Sequence, residues 1–393
     1  MDRRSFIGNL LTVAAALGAR PAWAAALPKS RAGEEHFSPA QLKEQVLEDL
    51  GSLSHFRVLY LAANQAGGTE LVSLNTKRMR VEKVIAANIE KRHAIVVPAV
   101  ADPEFALLPE ENGTKAALIS LRKGAQIGEC AAAEGWLFSG HGTFAADGKS
   151  VFLPEVSENP GASEGRIVER AIPSLTVLKT FKSGRFSPHD IRLVSGGKAL
   201  LVGHLGRSVR EGEPPSGGDA MLLELPSGKL LPIAIYDNPY TGFAHVEADE
   251  QDNFFVSTSS SIGSELPLMS PVLFGSRKGK KWVSTWSPVL KERFRGNFSL
   301  RLAKKAGVLA VNHTDGHMTS LWQARTGRFL DIVDFGQEKP LGLGVTPDER
   351  YFLVNTASGG LFFLDVHTRK IGKRTNLVGL GASSHICVLP VAT

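Results

Sequence analysis

The chain has 393 residues, of which 43% are hydrophobic and 21% charged, and its formal net charge is +6. This composition is that of a globular protein with a sizeable core, and it excludes a disordered or fibrous chain. The densest basic run, Lys278-Gly279-Lys280-Lys281, is typical of a solvated turn, so the charge excludes nucleic acid as an expected partner. Abundant glycine, 40 residues, with only 7% aromatics favours an all-β protein with many turns.

The first predicted element is a signal peptide over residues 1–26. Arg3 and Arg4 precede a modest apolar run, and Ala22-Trp23-Ala24 forms an A-x-A cleavage site. This arrangement indicates a twin-arginine signal peptide, and its apolar run is too short to anchor the chain across ~30 Å of hydrocarbon. We therefore expect export to the bacterial periplasm by the twin-arginine pathway, with no membrane insertion after the signal is cleaved. That pathway carries folded proteins, often with a cofactor already inserted.

Residues 27–55 are predicted to form a linker and a capping helix. The helix is expected over 38–50, with Ser38 as its N-cap, Pro39 at its first position and Gln41 completing a capping box. Its apolar stripe would pack on the outside of the domain that follows.

From Phe56 to its end, the sequence repeats a four-strand pattern. The first group has three strands, at Phe56–Ala63, Glu70–Leu74 and Val81–Ala86, and a last strand, His385–Leu389, stands alone. Between them are six groups whose predicted innermost strands begin at His93, His141, His189, Phe243–His245, Asn297 and Leu341. Three strands at the front and one at the back complete a blade without an exposed edge. The predicted fold class is therefore all-β, a seven-bladed β-propeller over residues 56–393.

The chain has two cysteines, Cys130 and Cys387, and an oxidising compartment would permit a disulfide between them. The repeat places Cys130 on an outer strand and Cys387 on an innermost strand of a different blade. Since that separation is too large for a disulfide bond, we expect two free, at least partly buried thiols.

Three segments of this sequence resemble a known bacterial family, the domain of unknown function 1513. They are a Gly-His-Gly-x-Phe-x-x-Asp-Gly motif around His141, a Phe-x-Pro-His-Asp-x-Arg-Leu motif from Phe186 to Leu193, and Arg92-His93 followed by the Pro98–Leu121 segment. The sequence departs from the family at Gly203-His204-Leu205-Gly206, where an Ala-Asn-Gly-Gly run is expected. The resemblance implies a periplasmic propeller of no established activity, often encoded near iron-uptake proteins.

The candidate site lies at one mouth of the central channel, where innermost strands begin and second strands end. The ligand-binding candidates are His93, His141, Glu155, His189, His204, His245 and His385. Convergent imidazoles could hold copper, iron or zinc, with Asp190 and Glu155 as outer carboxylates. A seven-bladed ring is wide compared with metal–nitrogen bonds of about 2.0–2.1 Å, so at most three or four histidines are expected to meet, foremost His141, His189 and His204.

Several functions are compatible with this sequence. The favoured hypothesis is a periplasmic binding protein whose histidine-rich channel mouth binds a metal ion, a small ligand or a metal-linked protein partner, in iron handling. One alternative is a lactonase-like hydrolase using Glu155, His189 and His204, and another is a ligand-free interaction scaffold. In a purely structural interpretation, each histidine would form a hydrogen bond to a neighbouring blade.

Overall fold

The fold is described from a computed structural model. It describes residues 55–64, 68–78, 80–100, 102–159, 162–206, 217–235, 241–260, 271–277, 279–282, 290, 292–377 and 385–391. The predicted signal peptide and capping helix lie outside these residues. In the described ranges, no helix combines the length and the hydropathy needed to span a membrane.

The first half of the described chain contains fourteen strands. They are β1 (Phe56–Ala63), β2 (Thr69–Asn75), β3 (Arg80–Ala87), β4 (Phe105–Pro109), β5 (Glu111–Gly113), β6 (Lys115–Ser120), β7 (Ala125–Ala131), β8 (Trp136–Ser139), β9 (Thr143–Phe144), β10 (Ser150–Ser157), β11 (Arg166–Ala171), β12 (Val177–Lys182), β13 (Pro188–Val194) and β14 (Ala199–His204). A short 3-10 turn at Ser195–Gly197 joins the last two.

The second half of the described chain contains the remaining strands. They are β15 (Asp219–Glu224), β16 (Leu230–Ile235), β17 (Thr241–Ala248), β18 (Asn253–Ser260), β19 (Val272–Ser276), β20 (Gly279–Trp282), β21 (Asn297–Ala303), β22 (Val308–His313), β23 (Met318–Gln323), β24 (Arg328–Asp334), β25 (Pro340–Val345), β26 (Tyr351–Thr356), β27 (Gly360–Asp365), β28 (Ile371–Asn376) and β29 (Cys387–Pro390).

These strands form seven sheets, which are the blades of a propeller. Blades 4 to 7 are each built from four consecutive strands, β13–β16, β17–β20, β21–β24 and β25–β28. Blade 1 has the order β29-β1-β2-β3, blade 2 contains β4, β6 and β7, and blade 3 contains β8 to β12 with β5. The predicted all-β, seven-bladed fold is confirmed.

Blade 1 closes the ring by pairing the two ends of the propeller. Strand β29 lies antiparallel to β1, with Phe56 opposite Pro390 and Leu59 opposite Cys387. This pairing was predicted from the lone terminal strand. It makes β29 the innermost strand of blade 1 and covers the edge of β1, which as an open ladder could recruit another strand.

The hydrophobic core lies between neighbouring blades. Val58 of blade 1 packs with Leu353 and Phe363 of blade 7, and Ala310 of blade 6 packs with Phe352 of blade 7. Because both faces of each sheet are covered, the inner strands have near-continuous apolar runs rather than simple alternation. Each large buried side chain contributes roughly 1.5–3 kcal/mol through its removal from water.

Blades 2 and 3 differ from the predicted regular pattern. The innermost strand expected at His93 is reduced to a single bridge between Val96 and Leu107, shortly before Pro98, which has no N–H to donate. The strand expected at His141 is divided into β8 and β9 by the Gly-His-Gly segment. Strand β5 extends blade 3 by pairing with β8, with Glu111 opposite Ser139.

Both cysteines are free and partly buried, as predicted. Cys130 lies on β7, the outermost strand of blade 2, whereas Cys387 begins β29 at the channel. Burial raises the pKa of the Cys387 thiol to about 12, so the thiol is protonated and poorly nucleophilic at neutral pH.

Candidate metal centre

Five histidines from five blades meet at the channel axis, and we call this group the histidine hub. All five side chains are buried, and the ring centroids of contacting pairs lie 4.6–5.8 Å apart. The members are His93, His141, His189, His245 and His385. The expectation that at most three or four histidines could meet is therefore wrong, since the inward side chains span the ring.

β-bulges direct some of these side chains inward. The pairing of β13 with β14 shifts between Pro188 and Ile191, which leaves one extra residue on β13 around His189. The same shift precedes Val246 in blade 5, and equivalent shifts occur in blades 6 and 7. Because a bulge bends its strand and re-aims a side chain, it positions His189 and His245 toward the axis.

In blade 6 the bulged residue is Phe298, which the sequence analysis missed. The bulge lies between Asn297 and Ser299, and the Phe298 ring contacts those of His93, His245 and His385. We predicted only that an innermost strand begins near residue 297. An aromatic ring therefore occupies the hub position of this blade and adds an apolar wall to the cluster.

The hub histidines can be grouped into sets that could hold a metal ion. The Nε2 atoms of His93 and His141 lie 2.8 Å apart. In each of two sets of three histidines, one ring nitrogen per residue lies within 4.8 Å of the other two. The first set is His93, His141 and His385, and the second is His141, His189 and His245. His141 belongs to both, so it is the central ligand candidate of the hub.

The Asp190 carboxylate lies beside two hub histidines. Its two carboxylate oxygens lie 3.5 Å from Nδ1 of His141 and 3.7 Å from Nδ1 of His245. The carboxylate accepts hydrogen bonds from the Arg192 guanidinium at 2.8 Å and from the Val246 N–H at 3.2 Å. A carboxylate held behind an imidazole fixes its orientation, as in carboxylate–histidine–metal arrangements. The Phe-x-Pro-His-Asp-x-Arg-Leu motif thus supplies a hub ligand candidate, its carboxylate and the arginine that holds it.

A second carboxylate, Glu111, reaches the hub from strand β5. Its Oε2 lies 3.3 Å from Nδ1 of His93. One possible ligand atom from each of His93, Glu111 and His189 also lies within 4.8 Å of the other two. Sequence reasoning missed this residue because its position depends on β5 joining blade 3, and a three-residue strand has no recognisable pattern.

Gly140 makes the close approach of His93 and Glu111 possible. Its φ of +90° favours glycine, and a Cβ atom there would lie 2.7 Å from His93 Cδ2 and 2.9 Å from Glu111 Cβ. The first glycine of the Gly-His-Gly motif is therefore required by the packing around the hub.

His204 and Glu155 do not join the hub, contrary to expectation. His204 is fully buried, and its Nδ1 lies 3.0 Å from Asp219 Oδ1, which places it within blade 4. Glu155 is also fully buried and accepts hydrogen bonds from Arg166 at 2.6 and 2.8 Å. The structure groups His141 with His189 but not with His204, because the side chain at the end of β14 turns toward β15.

Burial favours the neutral form of four hub imidazoles. It lowers the pKa of His141, His189 and His385 well below the usual range, and neighbouring histidines lower the pKa further. Burial also lowers the pKa of His245, although the Asp190 carboxylate opposes this effect. For Asp190 burial favours the protonated form, but Arg192 and His245 outweigh it and hold the pKa of the carboxyl well below its usual range.

His385 is the least satisfied member of the hub. In the part of the chain that the structure describes, neither of its ring nitrogens has a hydrogen-bond partner, although the side chain is buried. A buried polar atom without a partner costs about 1–3 kcal/mol, so it is uncommon unless a ligand completes the site.

The fold and the site define the class: a seven-bladed β-propeller with a buried polyhistidine hub. Residues 88–224 match the model of the family described as "Protein of unknown function (DUF1513)". The resemblance predicted from the motifs is thereby confirmed. The matched segment contains His93, Glu111, His141, His189 and Asp190 of the site just described.

One of two similar solved structures, a gluconolactonase, supports the fold. The periplasmic gluconolactonase PpgL of Pseudomonas aeruginosa superposes with a TM-score of 0.62 at 16% identity, covering 86% of this chain and 100% of that chain. Hydrazine synthase of Kuenenia stuttgartiensis gives a TM-score of 0.45 at 13% identity, covering 82% and 84%. Among curated proteins, none matches this chain in sequence.

Proposed function

We propose that the protein binds a transition-metal ion through the histidine hub. The observation that carries the proposal is the buried imidazole of His385, whose two ring nitrogens lack partners among the described residues although three other hub histidines contact its ring. Neutral imidazoles are good ligands of copper, iron and zinc, whereas calcium and magnesium prefer oxygen ligands. Burial supports the proposal, because an imidazole that is neutral at pH 7 needs no deprotonation to bind a metal.

The proposed setting is the periplasm. Arg3, Arg4 and the A-x-A site support export of the folded chain by the twin-arginine pathway. Folded export would allow the ion to enter the hub before the protein leaves the cytoplasm. The family resemblance suggests a role in iron handling, with a periplasmic protein or a small ligand as partner.

Metal analysis of the protein purified from periplasm tests this proposal. We expect copper, iron or zinc in a defined ratio to the chain, and a melting temperature of the apo form that rises on addition of the ion. Binding at 100 times Kd would stabilise the folded state by about 2.7 kcal/mol. His385→Ala should abolish most of this stabilisation, whereas the exposed His367→Ala variant should keep it. A metal-free protein that gains no stability with any of the three ions would refute the proposal.

The alternative of a lactonase-like hydrolase has less support. The fold is shared with a protein named gluconolactonase, but at 16% identity. Two of the three candidate catalytic residues, Glu155 and His204, lie against Arg166 and Asp219 of their own blades, whereas His189 lines a cleft. Lactone hydrolysis that is lost in His189→Ala but retained in His367→Ala would favour this alternative.

A further inference from the structure

A small cleft leads to one side of the histidine hub. Its lining includes Glu111, Asn112, Ser139, Ser187 and His189. His189 is a member of the hub, so one wall of the cleft is formed by the hub itself. The other polar groups are neutral side chains and the Glu111 carboxylate.

Glu111 is the candidate metal ligand that is more exposed to solvent than the imidazoles around it. Its side chain is 18% exposed, whereas that of His93, which it contacts, is 3% exposed and that of His141 is 6% exposed. An ion arriving from solvent would therefore meet the carboxylate before it met the buried imidazoles. A carboxylate also attracts a hydrated cation over a longer range than a neutral imidazole does, since the two opposite charges interact directly.

The three candidate ligand sets share histidines. The outer set is His93, Glu111 and His189. His93 also belongs to the inner set with His141 and His385, and His189 belongs to the inner set with His141 and His245. An ion in the outer set thus already contacts one ligand of each inner set.

We propose that His93, Glu111 and His189 form an outer metal site that captures a divalent transition-metal ion and transfers it into the hub. This inference rests on the proposed metal binding and adds its route. In the transfer step, the bond from the metal to the Glu111 carboxylate breaks while a bond to His141 or a neighbouring imidazole forms. The step is a ligand exchange, so it requires no oxidant or reductant. Glu111 is then a residue of the entry route, and imidazoles hold the ion in the hub.

Stopped-flow uptake of Zn²⁺ by the full-length apo protein, followed by competition with a chromophoric chelator, tests this route. Glu111→Gln keeps the shape and polarity of the side chain but removes its charge. We expect its uptake rate to fall by about tenfold, the lower end of the range for electrostatic steering. Release of bound zinc to the chelator should slow by a similar factor, because the ion leaves by the route through which it enters. Glu134→Gln, an exposed glutamate in the turn between β7 and β8, serves as the matched control and should take up zinc at the original rate.

The outcomes separate this inference from the proposed function. If the unchanged protein binds no zinc, copper or iron, the proposed function itself fails. If it binds zinc and Glu111→Gln takes up zinc equally fast, metal binding stands but the outer site is refuted. Faster zinc release from folded Glu111→Gln would also overturn the inference, because Glu111 would then be a ligand of the final complex. Thermal unfolding of the apo variant establishes that it is folded.

Discussion

Phe298 stacks on the imidazole of His385, with ring centroids 5.0 Å apart and ring planes inclined by 24°. Phe298 is the bulged residue of β21, and His385 lies two residues before the closing strand β29. The contact therefore joins blade 6 to the blade that closes the ring. It also shields one face of the hub member whose ring nitrogens lack partners among the described residues.

Phe298→Ala should loosen this side of the hub. Loss of the stacked ring should lower the free energy of unfolding by about 1 kcal/mol, the size typical of an aromatic pair. It should also speed dissociation of a bound ion, because water would reach His385 more easily. Chelator-driven release of Zn²⁺ measures this rate, and Phe298→Leu, which retains an apolar cover, is the matched control. Equal release rates for the two variants would show that the ring does not shield the ion.

Asp190→Asn should weaken both folding and metal binding. The buried carboxylate orients His141 and His245 and pairs with the half-buried Arg192, so its loss leaves Arg192 with the weaker contact to Glu247 at 3.9 Å. Leaving hydrogen-bond donors of this region without their acceptor costs about 1–3 kcal/mol, and loss of an outer carboxylate lowers metal affinity by about 10- to 100-fold. Urea unfolding of the apo protein and competitive zinc titration measure the two effects. The exposed Asp147→Asn variant should change neither.

Gly140→Ala and Gly148→Ala form a matched pair. Both glycines have positive φ, at +90° and +70°, so alanine meets backbone strain of about 1 kcal/mol at either position. Only at Gly140 would the added Cβ collide with His93 and Glu111, since nothing lies within 4 Å of the corresponding atom at Gly148. We expect Gly140→Ala to lose at least twice as much stability, as measured by urea unfolding, and to bind zinc more weakly. Equal losses would contradict the close packing inferred around Gly140.

Lowering the pH should reduce the stability of the folded protein, in part through His313. Burial, reinforced by Arg293, lowers the pKa of this imidazole to about 3, whereas an unfolded chain would titrate near 6.5. Between these values the unfolded state binds a proton that the folded state does not. Stability is therefore fully present above pH 6.5 and falls as the pH drops toward 3, by up to ~1.4 kcal/mol per pH unit for this group.

A comparison with His313→Gln isolates this contribution. The Nε2 atom of His313 lies 2.8 Å from Ser320 Oγ, and the glutamine amide can form a hydrogen bond to that hydroxyl without titrating. The difference in unfolding free energy between the two proteins should change with pH below 6.5 and be constant above it. A difference that is independent of pH between 4 and 6.5 would show that His313 titrates normally in the folded chain.

The sequence predicted the hub better than its surroundings. A histidine at the same place in successive repeats implies a common position around the axis, and repetition alone predicted His93, His141 and His189 there. Phe298 and Glu111 could not be found in this way. Phe298 depends on a one-residue bulge, and Glu111 on a short strand that joins the next blade. His204 was misplaced because strand ends were counted without knowing which way the last side chain turns.

Closure of the ring has a consequence for the order in which the hub can form. His93 and His385 lie at opposite ends of the propeller sequence, yet the His385 N–H donates a hydrogen bond of 2.8 Å to the His93 carbonyl. His385 takes its place only when β29 docks on β1. A chain still emerging from the ribosome thus lacks the fifth imidazole, and a propeller with an undocked last strand has an incomplete hub. Metal bound to the complete five-histidine hub would therefore distinguish molecules whose propeller ring is closed from molecules in which β29 is not docked.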